Sequence, residues 1–212
     1  MLEWVESIAA GLTNTSAAVD DRGRLFTWGR AGYANTPNGL GYELNSATEC
    51  QLTPKGVDAL SEHRVTGVAL GDGFTLAVTD AGAIFSCGSS TCGDLNDGSL
   101  ASEVLPRRIE ALVETGRFVA VAAGIAHALA LTEDGQVYGW GCEPVNSQGK
   151  QTPQLVAIMV PSGRVKLLYA HCFSSCAVTE KGELYTWGNG SHYNLGHTLV
   201  TSQRTPSLPR GG

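Results

Sequence analysis

The stretch that decides the fold runs Phe118-Val-Ala-Val-Ala-Ala-Gly-Ile-Ala-His-Ala-Leu-Ala-Leu-Thr-Glu-Asp-Gly-Gln-Val-Tyr-Gly-Trp-Gly141. Read alone, its Ala-rich first half fits a helix as readily as a strand. It has counterparts, however, from Val65 to Gly88, from Val165 to Gly188, and in a first copy divided between Val5–Gly11 and Ala17–Gly29. The equivalent glycines are Gly23, Gly82, Gly135 and Gly182, at spacings of 59, 53 and 47 residues. A recurring period of this length is the mark of stacked supersecondary units. The Val65 copy carries Gly71 and Gly73 among β-branched residues, which a helix tolerates poorly, so the repeat arbitrates for strands.

Each copy resolves into strand, turn, strand, turn, strand. The tetrads ending at Gly23, Gly82, Gly135 and Gly182 read as hairpins with Gly in the left-handed region, where a Cβ would clash. The next strand carries Leu25/Phe26, Ile84/Phe85, Val137/Tyr138 or Leu184/Tyr185, followed by Trp28, Cys87, Trp140 or Trp187 before a Gly. Three rings and one thiol at that position predict a buried layer that the second copy fills less well. A strand led by Pro54, Pro106, Pro153 or Pro206 closes each unit, because Pro suits the start or outer edge of a sheet. Four antiparallel strands per unit of about 50 residues predict an all-β chain of propeller blades. The expected repeats span 4–60, 63–113, 117–160 and 164–210, together one repeat domain.

Composition agrees and narrows the function. The 212 residues include 27 Gly but only 16% charged side chains, which favours turns over amphipathic helices. Fourteen basic against 20 acidic residues give a net charge of −6, with no basic cluster longer than Arg107-Arg108, so a nucleic-acid partner is not expected. The longest apolar stretch, Phe118 to Leu131, is shorter than a span of about 20 residues, so no membrane partner is expected either. The acidic start Met1-Leu-Glu-Trp-Val-Glu lacks the character of a secretory signal, and six sparse Cys fit a reducing compartment. An intracellular location, cytoplasmic or nuclear, follows as the expectation.

The pattern Ala122-Ala-Gly-x-x-His-x-Leu-Ala-Leu-Thr-x-x-Gly-x-Val-Tyr-x-Trp-Gly141 resembles the regulator of chromosome condensation repeat. The resemblance covers nearly the whole chain and implies blades of the kind that form seven-bladed propellers, of which four make an incomplete ring. An arc completed by another chain or by self-association, a piece of a longer protein, and a smaller closed ring are the alternatives left open. The resemblance implies protein partners and offers guanine-nucleotide exchange on a small GTPase as an alternative role. Light-sensing members use a Gly-Trp-Arg-His-Thr motif; the matching tryptophan positions here hold Leu12, Asp72, Ile125 and Cys172, so that role is not expected.

No chemistry-bearing motif emerges. Gly-x-Gly pairs lack the third Gly of a dinucleotide fingerprint, Gly149-Lys150 lacks a phosphate loop, and no Gly-x-Ser-x-Gly elbow occurs. Cys87, Cys92, Cys172 and Cys176 have loosely metal-like spacing but read better as small core residues, and His127 as a buried hydrogen-bonding residue. No cofactor, metal or catalytic residue is expected. The chain reads as a non-catalytic interaction or scaffold module. Its contact candidates sit in loops that follow each Trp/Cys-Gly pair: Arg30, Tyr33, Asp94, Glu143, Asn189, His192 and Tyr193.

Overall fold

The structure is a computed structural model and describes residues 4–12, 14–30, 39–44, 50–89, 102–141, 156–161, 163–196 and 203–209. It is built from four sheets, each of four antiparallel strands in sequence order. The first comprises β1 (Val5–Ala10), β2 (Thr15–Asp20), β3 (Leu25–Arg30) and β4 (Cys50–Gly56). The second holds β5 (Val65–Leu70), β6 (Phe74–Thr79), β7 (Ile84–Gly88) and β8 (Glu103–Arg108). The third holds β9 (Phe118–Ala123), β10 (His127–Thr132), β11 (Val137–Gly141) and β12 (Val156–Ile158). The fourth holds β13 (Val165–His171), β14 (Ser174–Thr179), β15 (Leu184–Gly188) and β16 (Gln203–Ser207). These are the expected blades. Short 3-10 helices at Asp58–Leu60 and Glu110–Thr115 follow the first two outer strands and bury Leu60 and Leu112.

The hairpin glycines take the expected left-handed conformation, with φ of 78°, 78°, 83° and 82° at Gly23, Gly82, Gly135 and Gly182. A polar side chain closes each hairpin from inside. The Thr79 and Thr132 hydroxyls engage the backbone of Ala83 and Gln136, and Thr179 accepts from the Glu183 N–H. The first blade has Asp20 at that position, whose carboxylate accepts from the backbone of Arg22 and Arg24 and from Arg24 Nε at 2.7 Å. Burial pushes the Asp20 carboxyl up, but the Arg24 and Arg22 hydrogen bonds and the Arg24 charge outweigh it and hold it below the usual carboxylate range.

Each blade has two faces, and alternate residues supply them. One face, called front here, carries Ala17, Val19 and Leu25 in blade one, Leu76, Val78 and Ile84 in blade two, and Leu129, Leu131 and Val137 in blade three. The back face of the following blade covers it, giving three successive apolar cores. The inner strands meet in the order β1, β5, β9, β13. Blades two and three are therefore covered on both sides, and β6 and β10 are buried at every position, as strands sandwiched between two layers must be. By contrast β14 alternates between half-buried and buried, because only its back face is covered.

Two expectations need correcting. The outer strands do not begin at Pro. Pro54, Pro106 and Pro206 lie inside β4, β8 and β16, where the pairing breaks register opposite Trp28, Cys87 and Trp187. A bulge on an edge strand accommodates a residue with no N–H to donate; Pro153 lies outside the described residues. Nor is the Trp/Cys position buried throughout. Cys87, Trp140 and Trp187 are buried, but Trp28 is half-buried, since no described residue covers the back of blade one.

Candidate functional site

The ends of the third strands, the turns joining first to second strands and, of the segments leading to the fourth strands, residues 39–44 and 189–196 share one rim. Arg30 is exposed, but it ends β3 opposite Cys50 instead of standing in a loop, and its N–H donates to the Asn14 carbonyl at 3.1 Å. Tyr33, Asp94 and Glu143 lie outside the described residues. The remaining candidates, Asn189, His192 and Tyr193, sit together in one tight segment of blade four. The Asn189 carboxamide oxygen accepts from the Ser191 N–H at 2.9 Å, and Ser191 Oγ pairs with His192 Nδ1 at 2.9 Å. Tyr193 takes a left-handed backbone (φ 60°) and is 67% exposed, so Asn189 shapes the turn and Tyr193 is the side chain it presents.

What holds this segment was not anticipated from the sequence. Leu195 plugs into the blade, and the Thr186 hydroxyl donates to its carbonyl at 2.7 Å. Blade one repeats the device: Thr27 donates to the Leu40 carbonyl at 2.6 Å, and the buried Tyr42 hydroxyl donates to the Thr27 carbonyl at 2.9 Å. Burial raises the Tyr42 phenol despite that bond. Thr75 of blade two also reaches across to the Gly39 carbonyl, tying the loop of one blade to its neighbour. The signal was present as Gly39-Leu-Gly41 and Asn194-Leu-Gly196, two short matches inside segments of unequal length.

His127 is wholly buried, as expected, and joins blade three to blade four through Nε2 and Ser175 Oγ at 2.9 Å. Its Nδ1 has no partner among the described residues, and burial pushes its pKa down to about 4. Cys87 is buried too, its thiol pushed up to about 12 by desolvation. Cys172 and Cys176 are half-buried instead of core residues, Cys172 at a turn with φ 49° and Cys176 on the uncovered front of blade four. Among the described residues no three His, Cys, Asp or Glu side chains gather as a metal site would require, and no helix is long and apolar enough to cross a membrane. Leu12, Asp72, Ile125 and Cys172 all fall in the turns between first and second strands.

Large apolar side chains reach the surface mainly at the two ends of the blade series. On blade one Trp4 is 79% and Ile8 77% exposed. On blade four Leu167, Tyr169 and Leu184 flank Cys176, and a shallow groove of about 410 Å³ runs from Tyr169 and Cys176 to Leu195. Exposed apolar surface of this kind, next to a rim of polar and aromatic loops, has the character of a protein contact region.

Comparison with known proteins follows the same lines. A family model of the regulator of chromosome condensation (RCC1) repeat matches residues 22–78, 81–131 and 181–211, and a second matches 65–94 and 118–149. The ultraviolet-B receptor UVR8 of Arabidopsis thaliana is 34% identical over 138 residues, covering 65% of this chain and 29% of that protein. The human E3 ubiquitin-protein ligase HERC2 is 39% identical over 139 residues, covering 65% of this chain and 3% of HERC2. The chain therefore spans a minor part of the length of these relatives. Among solved structures, human WBSCR16 superposes with a TM-score of 0.83 at 22% identity, over 98% of this chain and 53% of that one. Prp20p from Saccharomyces cerevisiae superposes with a TM-score of 0.57 at 19% identity, over 94% of this chain and 62% of that one. Both likenesses support the propeller fold.

Proposed function

Because the chain belongs to the regulator of chromosome condensation (RCC1) repeat family, we propose that it is a non-catalytic protein-interaction module of one repeat domain. Its blades act as a rigid frame, and its contacts lie on the rim and on the two uncovered blade faces, completed by a partner chain or by self-association. The observation that carries this reading is the placement of exposed apolar side chains. They gather on blade one around Trp4 and Ile8 and on blade four around Leu167, Tyr169 and Tyr193, while the intervening blades expose fewer, with Leu105, Val113, Val119 and Met159 among the described residues. The rim candidates Arg30, Tyr33, Asp94, Glu143, Asn189, His192 and Tyr193 are proposed as the polar and aromatic surround, with Arg30 and Tyr193 as anchors.

The test is affinity capture from the native source followed by identification of what co-elutes, repeated with Arg30→Ala and Tyr193→Ala combined. Loss of a stoichiometric partner with an unchanged circular-dichroism spectrum supports the reading; capture of nothing by the unaltered chain, with no self-association in light scattering, overturns it. A nucleotide-release assay against a panel of small GTPases distinguishes the exchange-factor alternative, which stands if the chain accelerates release.

A further inference from the structure

The three joints between successive blades are built alike. At each one the first residue of the inner strand donates its N–H to the carbonyl of the preceding hairpin Gly: Val65 to Gly23 at 2.9 Å, Phe118 to Gly82 at 3.2 Å, and Val165 to Gly135 at 3.1 Å. The residue immediately before that strand is always Arg. Arg64 Nη2 donates to the Asp21 carbonyl at 2.8 Å, and Arg164 Nη2 to the Glu133 carbonyl at 2.7 Å, each reaching back to the hairpin of the previous blade. The Arg stem lies directly on the hairpin Gly. A Cβ at Gly23 or Gly82 would stand 2.4 Å from Arg64 Cγ or Arg117 Cγ, and one at Gly135 would stand 2.6 Å from Arg164 Cβ. These glycines serve the turn and the joint together.

Gly182 has the same left-handed backbone, φ +82°, yet a Cβ there would meet nothing within 4 Å. Beside it lies the front face of blade four, with Leu167, Tyr169, Cys176, Val178 and Leu184 incompletely covered. In blades one to three the corresponding face is covered by a back face with Ala at its centre (Ala77, Ala130, Ala177) and an aromatic on the next strand (Phe85, Tyr138, Tyr185). Blade four thus continues the established interface on every count: same hairpin, same face, same open place for an Arg stem.

Resting on the reading of the blade faces as contact surfaces, we propose that the front of blade four is a docking site for a partner's blade of this repeat type that carries Arg immediately before its inner strand. A second copy of the chain is a poorer fit. Its blade one offers Ala18 and Phe26 at the right places, but Trp4 stands where Arg stands at every joint. The equivalence is fixed by the backbone: the Asp21 N–H donates to the Trp4 carbonyl at 2.9 Å, as Asp80, Glu133 and Glu180 donate to Arg64, Arg117 and Arg164. A rigid indole supplies neither the thin stem nor the forked donors that lie over the hairpin.

This identifies the probe. A donor chain carries Trp4→Arg, which supplies the missing residue, and Gly182→Asn, which tolerates the left-handed backbone while filling the place of the stem, so that the donor cannot bind itself. The receiver is the isotope-labelled unaltered chain, and the readout is the rate of maleimide alkylation at Cys176, resolved by peptide mass spectrometry. At about 100 µM donor, alkylation of receiver Cys176 should slow about fivefold, as four-fifths occupancy requires. A receiver bearing Gly182→Asn should show no protection, and neither should a Gly182→Asn donor that keeps Trp4. Absence of protection with both proteins folded by circular dichroism overturns the proposal. Equal protection by the donor that keeps Trp4 overturns it as well, and points to a second copy as occupant. Partner capture through the rim combined with an unprotected Cys176 would leave the interaction module standing and remove only this docking site.

Discussion

Protonating His127 should loosen the joint between blades three and four, and the size of the effect can be worked out. The ring is wholly buried, its one hydrogen bond among the described residues is to Ser175 Oγ at 2.9 Å, and a Cβ placed on Gly124 would fall 2.2 Å from its Cε1, so the slot is tight. Burial lowers its pKa from 6.5 to about 4 in the folded chain. The folded state therefore resists a proton that the unfolded state accepts, so stability is full above about pH 6.5 and falls as pH drops toward 4. At pH 5 the unfolded imidazole is almost fully charged and the folded one about a tenth charged, a linkage cost of about 2 kcal/mol relative to pH 7.5. Asp20 does not interfere, because its carboxyl is held below the ordinary 3.8 and its contribution is lost only at lower pH. Urea unfolding followed by tryptophan fluorescence at the two pH values measures the difference. His127→Gln keeps a group able to bond Ser175 but cannot titrate. Whatever its stability at pH 7.5, its further loss on going to pH 5 should fall below about 0.5 kcal/mol. Equal pH-dependent losses in the two proteins would show that the charge enters elsewhere.

Two further outcomes follow from the loop plug and the joints. Tyr42→Phe removes the hydroxyl that donates to the Thr27 carbonyl at 2.9 Å while leaving the ring under Lys55 Nζ, and should cost about 1 kcal/mol in the same unfolding assay. Gly135→Ala and Gly182→Ala share a left-handed backbone, so each should lose about 1–2 kcal/mol on that account. Only Gly135→Ala also drives Cβ to 2.8 Å from the Arg164 Cα, and it should cost about 1–3 kcal/mol more; equal losses at the two sites would mean that the joint yields freely.

How far the sequence reached, and where it stopped, has one physical cause. A repeat reports what the copies share: the strand order, the left-handed hairpin glycines, the alternation of faces and, in three of the four, the ring at the end of the third strand. Those follow from forces within a blade and were readable from Phe118–Gly141 and its counterparts. It is silent on what differs by position in the series. Trp28 and Trp140 occupy the same place in the repeat, yet one is half-buried and the other fully buried, because a neighbouring sheet covers only the second. Cys176 reads as core by the same reasoning and is half-buried for the same reason. The loop plugs escaped because Leu40 and Leu195 sit at different distances from their blades, so no fixed period exposes them. The Arg residues at the joints escaped because each lies outside the strand pattern and does its work on the previous blade. Contacts between blades therefore need coordinates: a face is a core in one blade and a surface in another according to its neighbour, and the docking proposed for blade four rests on that difference, because its front face carries the residue types that are core in the blades before it.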